Sequence, residues 1–500
     1  MTPMSRRHVL AGAGKMAIAA GVGSQLGWVA SCTGPARRAR PDWQALARRL
    51  SGQLLRPGEA GFGAASIPYN RRYASIRPEG VALCEGTADV RAAVLWAREA
   101  GVPFAVRSGG HSYGGYCAST GLVISLARMS SVTVDTKSLT LTAGPGARNR
   151  DLHASLAGTG VATPSGRCPT VAISGLLLGG GFGFSSRHFG LTCDQLLKTE
   201  VVTASGDVLA VSPADHPSLF WACQGGGGGN FGINTGYTLR VRPVGNVSVY
   251  RVEWEWRHAA AVLSAVLATM TTAPDTLSCR VGADVGGGGP ATGGTPQRGV
   301  SALGLYFGRS HELADLLAPV TAAAPPARQL IEERSYTGAQ SFLAKNVPHG
   351  SFTSKSRFLH RALPGQGIET LISWVQRWPG SSNTAGGGAT IFAWGGAIGR
   401  VAPQATAFVH RGPAFLMDNE TTWTARDSAS VVSANLDWVD GIYQALAPFG
   451  TEQAYQNFID PALKGWETAY YGANLDRLMQ VKRAYDPDDV FRFPQGIPVA

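Results

Sequence analysis

Three glycine clusters, Gly109–Gly115, Gly175–Gly183 and Gly225–Gly232, constrain this chain more than any other feature. Glycine lets backbone approach a ligand closely and aim successive N–H groups at phosphate. One such cluster makes a tight turn in any exported protein. Three close together, each beside a strand pattern, point to a nucleotide cofactor. The overall glycine content is also high, 65 of 500 residues against a usual value of about 7%. A Rossmann site is excluded on context. Gly227-x-Gly229-x-x-Gly232 matches the pattern, but 233–241 reads as strand where that fold needs a helix. No Walker A sequence occurs, so a different fold must hold the cofactor.

The net charge of +11 raises nucleic-acid binding as a competing function. Its distribution argues against that. Arg6, Arg7, Lys15, Arg37, Arg38, Arg40, Arg48 and Arg49 face one acid, Asp42, so residues 1–50 hold +7 of the +11. No basic run or basic-aromatic stripe follows. Arg6-Arg7 and the modest apolar stretch Met16–Ala30 read as a twin-arginine export signal, residues 1–31. Val29-Ala30-Ser31-Cys32 resembles a lipobox, so any membrane attachment is expected through lipid on Cys32 alone; ordinary cleavage near Ala30 is the alternative. The protein is therefore expected outside the cytoplasm, secreted or at the cell surface, as a monomer. Seven cysteines leave at least one without an internal disulfide, and no CxxC points to metal.

Past a basic linker at 32–70, the pattern predicts an α+β fold. A helix capped by Thr87 runs through 88–100 and stops at Gly101. Strands follow at 102–107, 122–126, 132–135 and 139–143, then a helix near 148–156 and a hairpin over 201–211. From about residue 246, Tyr250, Val252, Trp254 and Trp256 alternate with charged residues, as a half-buried antiparallel strand does. The domains expected are 71–245 for the cofactor, 246–440 for an antiparallel sheet under helices that binds substrate, and 441–500 returning to the first. Gly286–Gly294 reads as a loose loop.

His111 lies in the first glycine cluster, and Cys168 lies in Ser165-Gly-Arg-Cys-Pro-Thr-Val171 before the second. A histidine in a glycine loop is commonly a turn residue, and a lone cysteine a small core hydrophobe. Their wider context is more specific. Arg107–Gly115, Gly166–Gly183, Leu219–Gly232 and Tyr455–Gln495 occur in an order that resembles the berberine bridge enzyme-like flavoproteins, within the vanillyl-alcohol oxidase class. The last block carries Tyr455-x-Asn457-x-x-Asp460, Tyr470-Tyr471-Gly472-x-Asn474 and Phe491-x-x-Pro494-Gln495. The similarity extends from Tyr69 to the C-terminus.

The resemblance implies a PCMH-type FAD-binding domain and FAD bonded at its 8α carbon to His111 and at C6 to Cys168. It implies a cofactor bed of Arg107, Ser108, Gly109, Gly110, Ser112, Gly114, Gly115, Thr170, Val171, Gly175, Gly179, Gly180, Gly181, Gly229, Asn230, Gly232 and Ile233. Asn474 and Gln495 are expected to hydrogen-bond the flavin. Val171 would govern access of O2, and Tyr455 would take the substrate proton if its pKa is lowered. Relatives place a second tyrosine or an acid on the 407–423 strand; here Asp418 and Asn419 are candidates whose facing the sequence leaves open. The expected activity is oxidation of a carbinol in a sugar, oligosaccharide or natural product, with O2 giving H2O2. Oxidative cyclisation and non-catalytic flavin or carbohydrate binding are the alternatives. Trp254, Trp256, Trp374, Trp378, Trp394 and Trp423 are candidates for stacking on sugar rings.

Overall fold

The computed structural model describes residues 41–289, 293–345 and 350–499. The expected export signal and lipobox lie outside them. From Asp42 onward the chain forms one unit. Short strands and amphipathic helices give the mixed fold the sequence predicted. The first layer is a four-stranded sheet in which Gly80–Leu83, Leu122–Ser125 and Phe104–Arg107 run parallel and Gln53–Leu55 pairs antiparallel at the edge. Helix Thr87–Ala100 packs Val90, Ala93, Val94 and Ala97 into its core. The helix ends at Gly101, whose φ of 63° closes the left-handed cap. Thr87 is not the cap: Gly86 precedes the helix and the Thr87 hydroxyl donates to Glu200 instead.

A second, antiparallel sheet has five strands in the order Val132–Asp135, Thr140–Ala143, Ile233–Arg240, Leu196–Val202 and Val208–Val211. Its central strand comes directly after the third glycine cluster, and it is the strand that argued against a Rossmann site.

The third sheet has seven antiparallel strands, ordered Arg328–Arg334, Val247–Glu255, Gln297–Tyr306, Arg280–Gly286, Gly387–Ala393, Phe415–Trp423 and Ser351–Leu359. Helices Ala259–Thr272, Gly365–Gln376 and Ala429–Ala445 bury one face, contributing Val262, Leu371 and Trp438 to a core with Phe415 and Met417. The other face joins the cofactor-loop core through Phe358, Phe392 and Leu416. The strand expected over 407–423 begins only at Phe415, because Pro413 lacks an N–H and Phe408 pairs its N–H with the Gln224 carbonyl. In the 286–294 stretch, Gly288 and Gly289 form isolated bridges to Ser381 and Gly294. Among the described residues no helix is long and apolar enough to cross a membrane, and the cysteines there are free.

Two buried arginines fasten the cofactor-side loops to the large sheet. Arg187 donates to the carbonyls of Leu277, Trp394 and Ala273. Arg411 forks onto Asp194 at 2.9 and 2.7 Å with almost no exposure. Removing one partner of such a pair strands the other charge. Arg411→Ala is therefore expected to cost about 3–5 kcal/mol, read as a lower urea midpoint than wild type.

Candidate functional site

The loops of the first two glycine clusters meet because a glycine lets them. A Cβ on Gly109 would stand 2.7 Å from the Ala172 amide nitrogen, a contact no side chain survives. At that crossing His111 Nε2 lies 3.0 Å from the Thr170 hydroxyl, and its ring stacks on Tyr69 at 3.7 Å between centroids. The Cys168–Val171 turn is pinned from behind: Asn149 Nδ2 donates to the Cys168 carbonyl at 2.9 Å, and the Asn149 amide donates to Val171. His111 and Cys168 thus share the wall of one cavity of about 310 Å³. Its lining continues through Gly228, Gly229 and Asn230 to Phe491–Phe493 and Gln495.

Most of the expected bed lies on that wall: Ser108, Gly109, Gly110, Ser112, Val171, Gly175, Gly229, Asn230, Gly232, Ile233 and Gln495. Others work from behind it. Arg107 does not line the cavity; its guanidinium donates to the carbonyls of Cys117 and Ala65 and so fixes the first loop. Gly114, Gly115, Gly179, Gly180 and Gly181 pack against Ile459, Tyr73, Asn457, Phe408 and Thr192. Asn474 spends its amide on the carbonyls of Pro403, Thr406 and Ala407, so it holds a loop rather than a cofactor.

The wall fits a flavin nucleotide on two further observations. Asn149, Gln456 and Gln495, all lining residues, each keep a buried side-chain oxygen with no hydrogen-bond partner. Buried acceptors of this kind are costly unless a donor arrives. A Cβ on Gly175 would meet no protein atom within 4 Å, so that glycine leaves cavity space open. Among the described residues no cluster suits a metal ion.

Tyr455 sits at the base of the cavity among Phe182, Phe408 and Phe458. Its phenol oxygen accepts from the Gly181 amide and Asn457 Nδ2, both at 3.1 Å. Burial pushes the pKa of Tyr455 up, and no cation opposes that. The lowering that a tyrosine base requires is not provided.

The structure separates the acid candidates by face. Phe415, Met417, Asn419 and Thr421 point to the covering helices, where the Thr421 hydroxyl donates to Asn435. Asp418 and Glu420 therefore share the opposite face with Leu416, toward the cofactor loops. Asn419 is excluded by the same alternation. Asp418 accepts from the Ser354 hydroxyl, and Glu420 receives Lys345 Nζ at 3.0 Å. Burial first, then the neighbouring Glu420 charge, raises the Asp418 carboxyl to about 7, against the lowering effects of Ser354, Lys345 and Arg167. Sequence reasoning also missed Tyr69, Tyr113, Phe182 and Lys345. The six tryptophans proposed for stacking do not line the cavity; Trp254, Trp378, Trp394 and Trp423 are core residues.

This geometry agrees with what the chain is similar to. Residues 78–212 match the model of an FAD binding domain, and 454–498 match the berberine and berberine-like model. The chain is 32% identical over 464 residues to the FAD-linked oxidoreductase YgaK of Bacillus subtilis, covering 90% of this chain and 97% of that one. It is 30% identical over 469 residues to the xylooligosaccharide oxidase of Thermothelomyces thermophilus, covering 87% and 89%. The solved structure of BBE-like 1 from Physcomitrella patens superposes with a TM-score of 0.81 at 28% identity, over 91% of this chain and 99% of the other. With two family models matching the segments that build this cavity, and a relative above 30% identity covered almost end to end, the chain belongs to the berberine bridge enzyme-like FAD-linked oxidoreductases.

Proposed function

We propose that this FAD-linked oxidoreductase is an oxidase of carbinols, with Asp418 as the group that accepts the hydroxyl proton. The observation that carries the proposal is a buried carboxyl with a pKa of about 7, on the strand face of Leu416 and within electrostatic reach of Arg167, the residue before Cys168. A base poised near the working pH is the efficient choice for general base catalysis. FAD, held along this wall, would supply the two-electron acceptor for the carbinol C–H, and O2 would be the terminal acceptor, leaving as H2O2. Ser354 orients the Asp418 carboxyl, and Lys345 holds Glu420. The aromatic floor of Phe182, Tyr455 and Phe458 keeps water from the reacting face. His111 and Cys168 are the residues that would tether the cofactor, since imidazole nitrogen and thiolate are both good nucleophiles. Val171 lines the same wall, where a small side chain leaves O2 room. A xylooligosaccharide oxidase and a carbohydrate oxidase stand among the relatives, which favours sugars as substrates.

Turnover in air tests the oxidase part. Peroxide is expected in step with substrate consumed. Slow reoxidation of the reduced flavin in air, with fast reoxidation by a quinone, would make the protein a dehydrogenase.

Tyr455 keeps a different role, as a hydrogen-bond acceptor that positions the Gly181 loop. Tyr455→Phe is expected to retain kcat within about tenfold while losing about 1–3 kcal/mol of stability from the stranded donors. A fall of kcat by three orders of magnitude with flavin intact would restore the phenol as base.

A further inference from the structure

We infer that Arg167 binds a carboxylate on the substrate, so that the substrate class is an acidic carbinol such as a uronic acid or a hydroxy acid; this rests on the oxidase reading above. Arg167 immediately precedes Cys168 and lines the cavity. Its carbonyl accepts from the Lys345 amide at 3.1 Å, which fixes the loop that presents it. Its guanidinium carbon lies 4.9 Å above the Phe392 ring. Among the described residues, no ion pair and no hydrogen bond engages that guanidinium.

Other sheltered arginines here behave differently. Arg411 holds Asp194, Arg187 holds backbone carbonyls, and Arg280 holds Asp284 at 2.9 Å. A guanidinium carries five donors in a planar fork, and that of Arg167, half-buried on the cavity wall, has no protein acceptor among the described residues. The other cations at this end are already matched, Lys345 by Glu420 and Arg280 by Asp284. Arg167 alone among them has no carboxylate within ion-pair distance and meets the Asp418 and Glu420 charges only at longer range. The planar fork of one guanidinium matches the two oxygens of one carboxylate. The Arg167 and Asp418 charges act on each other, so acid group and carbinol would lie within one small substrate.

The test uses the flavin-loaded protein with glucuronate against glucose and galacturonate against galactose. Binding is read by anaerobic calorimetry and reaction by the rate of flavin reduction. Wild type is expected to prefer each acid by about tenfold to a hundredfold, the worth of a charge-assisted hydrogen bond. Arg167→Gln is expected to abolish the preference, and Arg167→Lys to restore part of it. Equal treatment of acid and neutral sugar by wild type would overturn the inference, and so would a preference that survives in Arg167→Gln. A calorimetric preference without flavin reduction would support the anion site and count against the oxidase reading. Reduction by the neutral sugars alone would do the reverse.

Discussion

Asp418→Asn is expected to lower kcat by about 10²–10⁴-fold, the usual worth of a positioned general base, while the flavin spectrum stays that of wild type. The substitution keeps the shape that accepts from Ser354 and removes only the proton acceptor. The pH dependence comes from the raised pKa. Asp418 works as a base only when ionised, so the wild-type rate of flavin reduction rises with pH, is half-maximal near 7, and levels above it. Asp418→Asn flattens that profile. Stability moves the other way. The folded carboxyl holds its proton up to about 7, whereas the unfolded one releases it near the ordinary aspartate value. Between those values the folded state binds more protons, so this group's contribution to stability falls as pH rises. Asp418→Asn should therefore melt higher than wild type at pH 8, with a smaller gain at pH 5. A variant that is inactive because it is misfolded would melt lower at both.

The second large effect concerns retention of the cofactor. Wild-type protein precipitated with acid or denatured in detergent is expected to keep its yellow colour in the protein fraction. His111→Ala and Cys168→Ala are each expected to keep it through the remaining partner, and the double variant to release free flavin. His111 and Cys168 lie on one cavity wall, joined through the contact of His111 with Thr170. Each loop is held by its own backbone contacts, so one tether survives loss of the other. Flavin released from denatured wild type would refute both bonds. Release from one single variant alone would leave only that variant's residue as a tether.

The glycine clusters were the legible part of the site, because close approach and positive φ leave few residue choices. Their loops, the crossing of Gly109 over Ala172 and the strand that excludes a Rossmann site all trace to local sequence. The proposed base was visible as a residue but not as a role. Phe415–Trp423 is covered by helices on one face and by the cofactor loops on the other, so nearly all its residues are buried. A strand buried on both sides loses the alternation that assigns side chains to faces. Asp418, Asn419 and Glu420 then read alike until the Leu416 and Thr421 contacts separate them. Asn474 misled for the opposite reason: a polar residue in a family-like motif can serve the backbone, here three loop carbonyls. Tyr69, which stacks on His111, lies outside all three clusters, and no local signal marks it.

The most direct measurement is anaerobic mixing of the flavin-loaded protein with a panel of sugars, sugar acids and secondary alcohols while the visible flavin band is monitored. At least one carbinol should bleach the band, and Asp418→Asn should slow that bleaching by two orders of magnitude or more. A band that stays intact with every carbinol, yet bleaches with dithionite, would contradict the carbinol oxidase assignment.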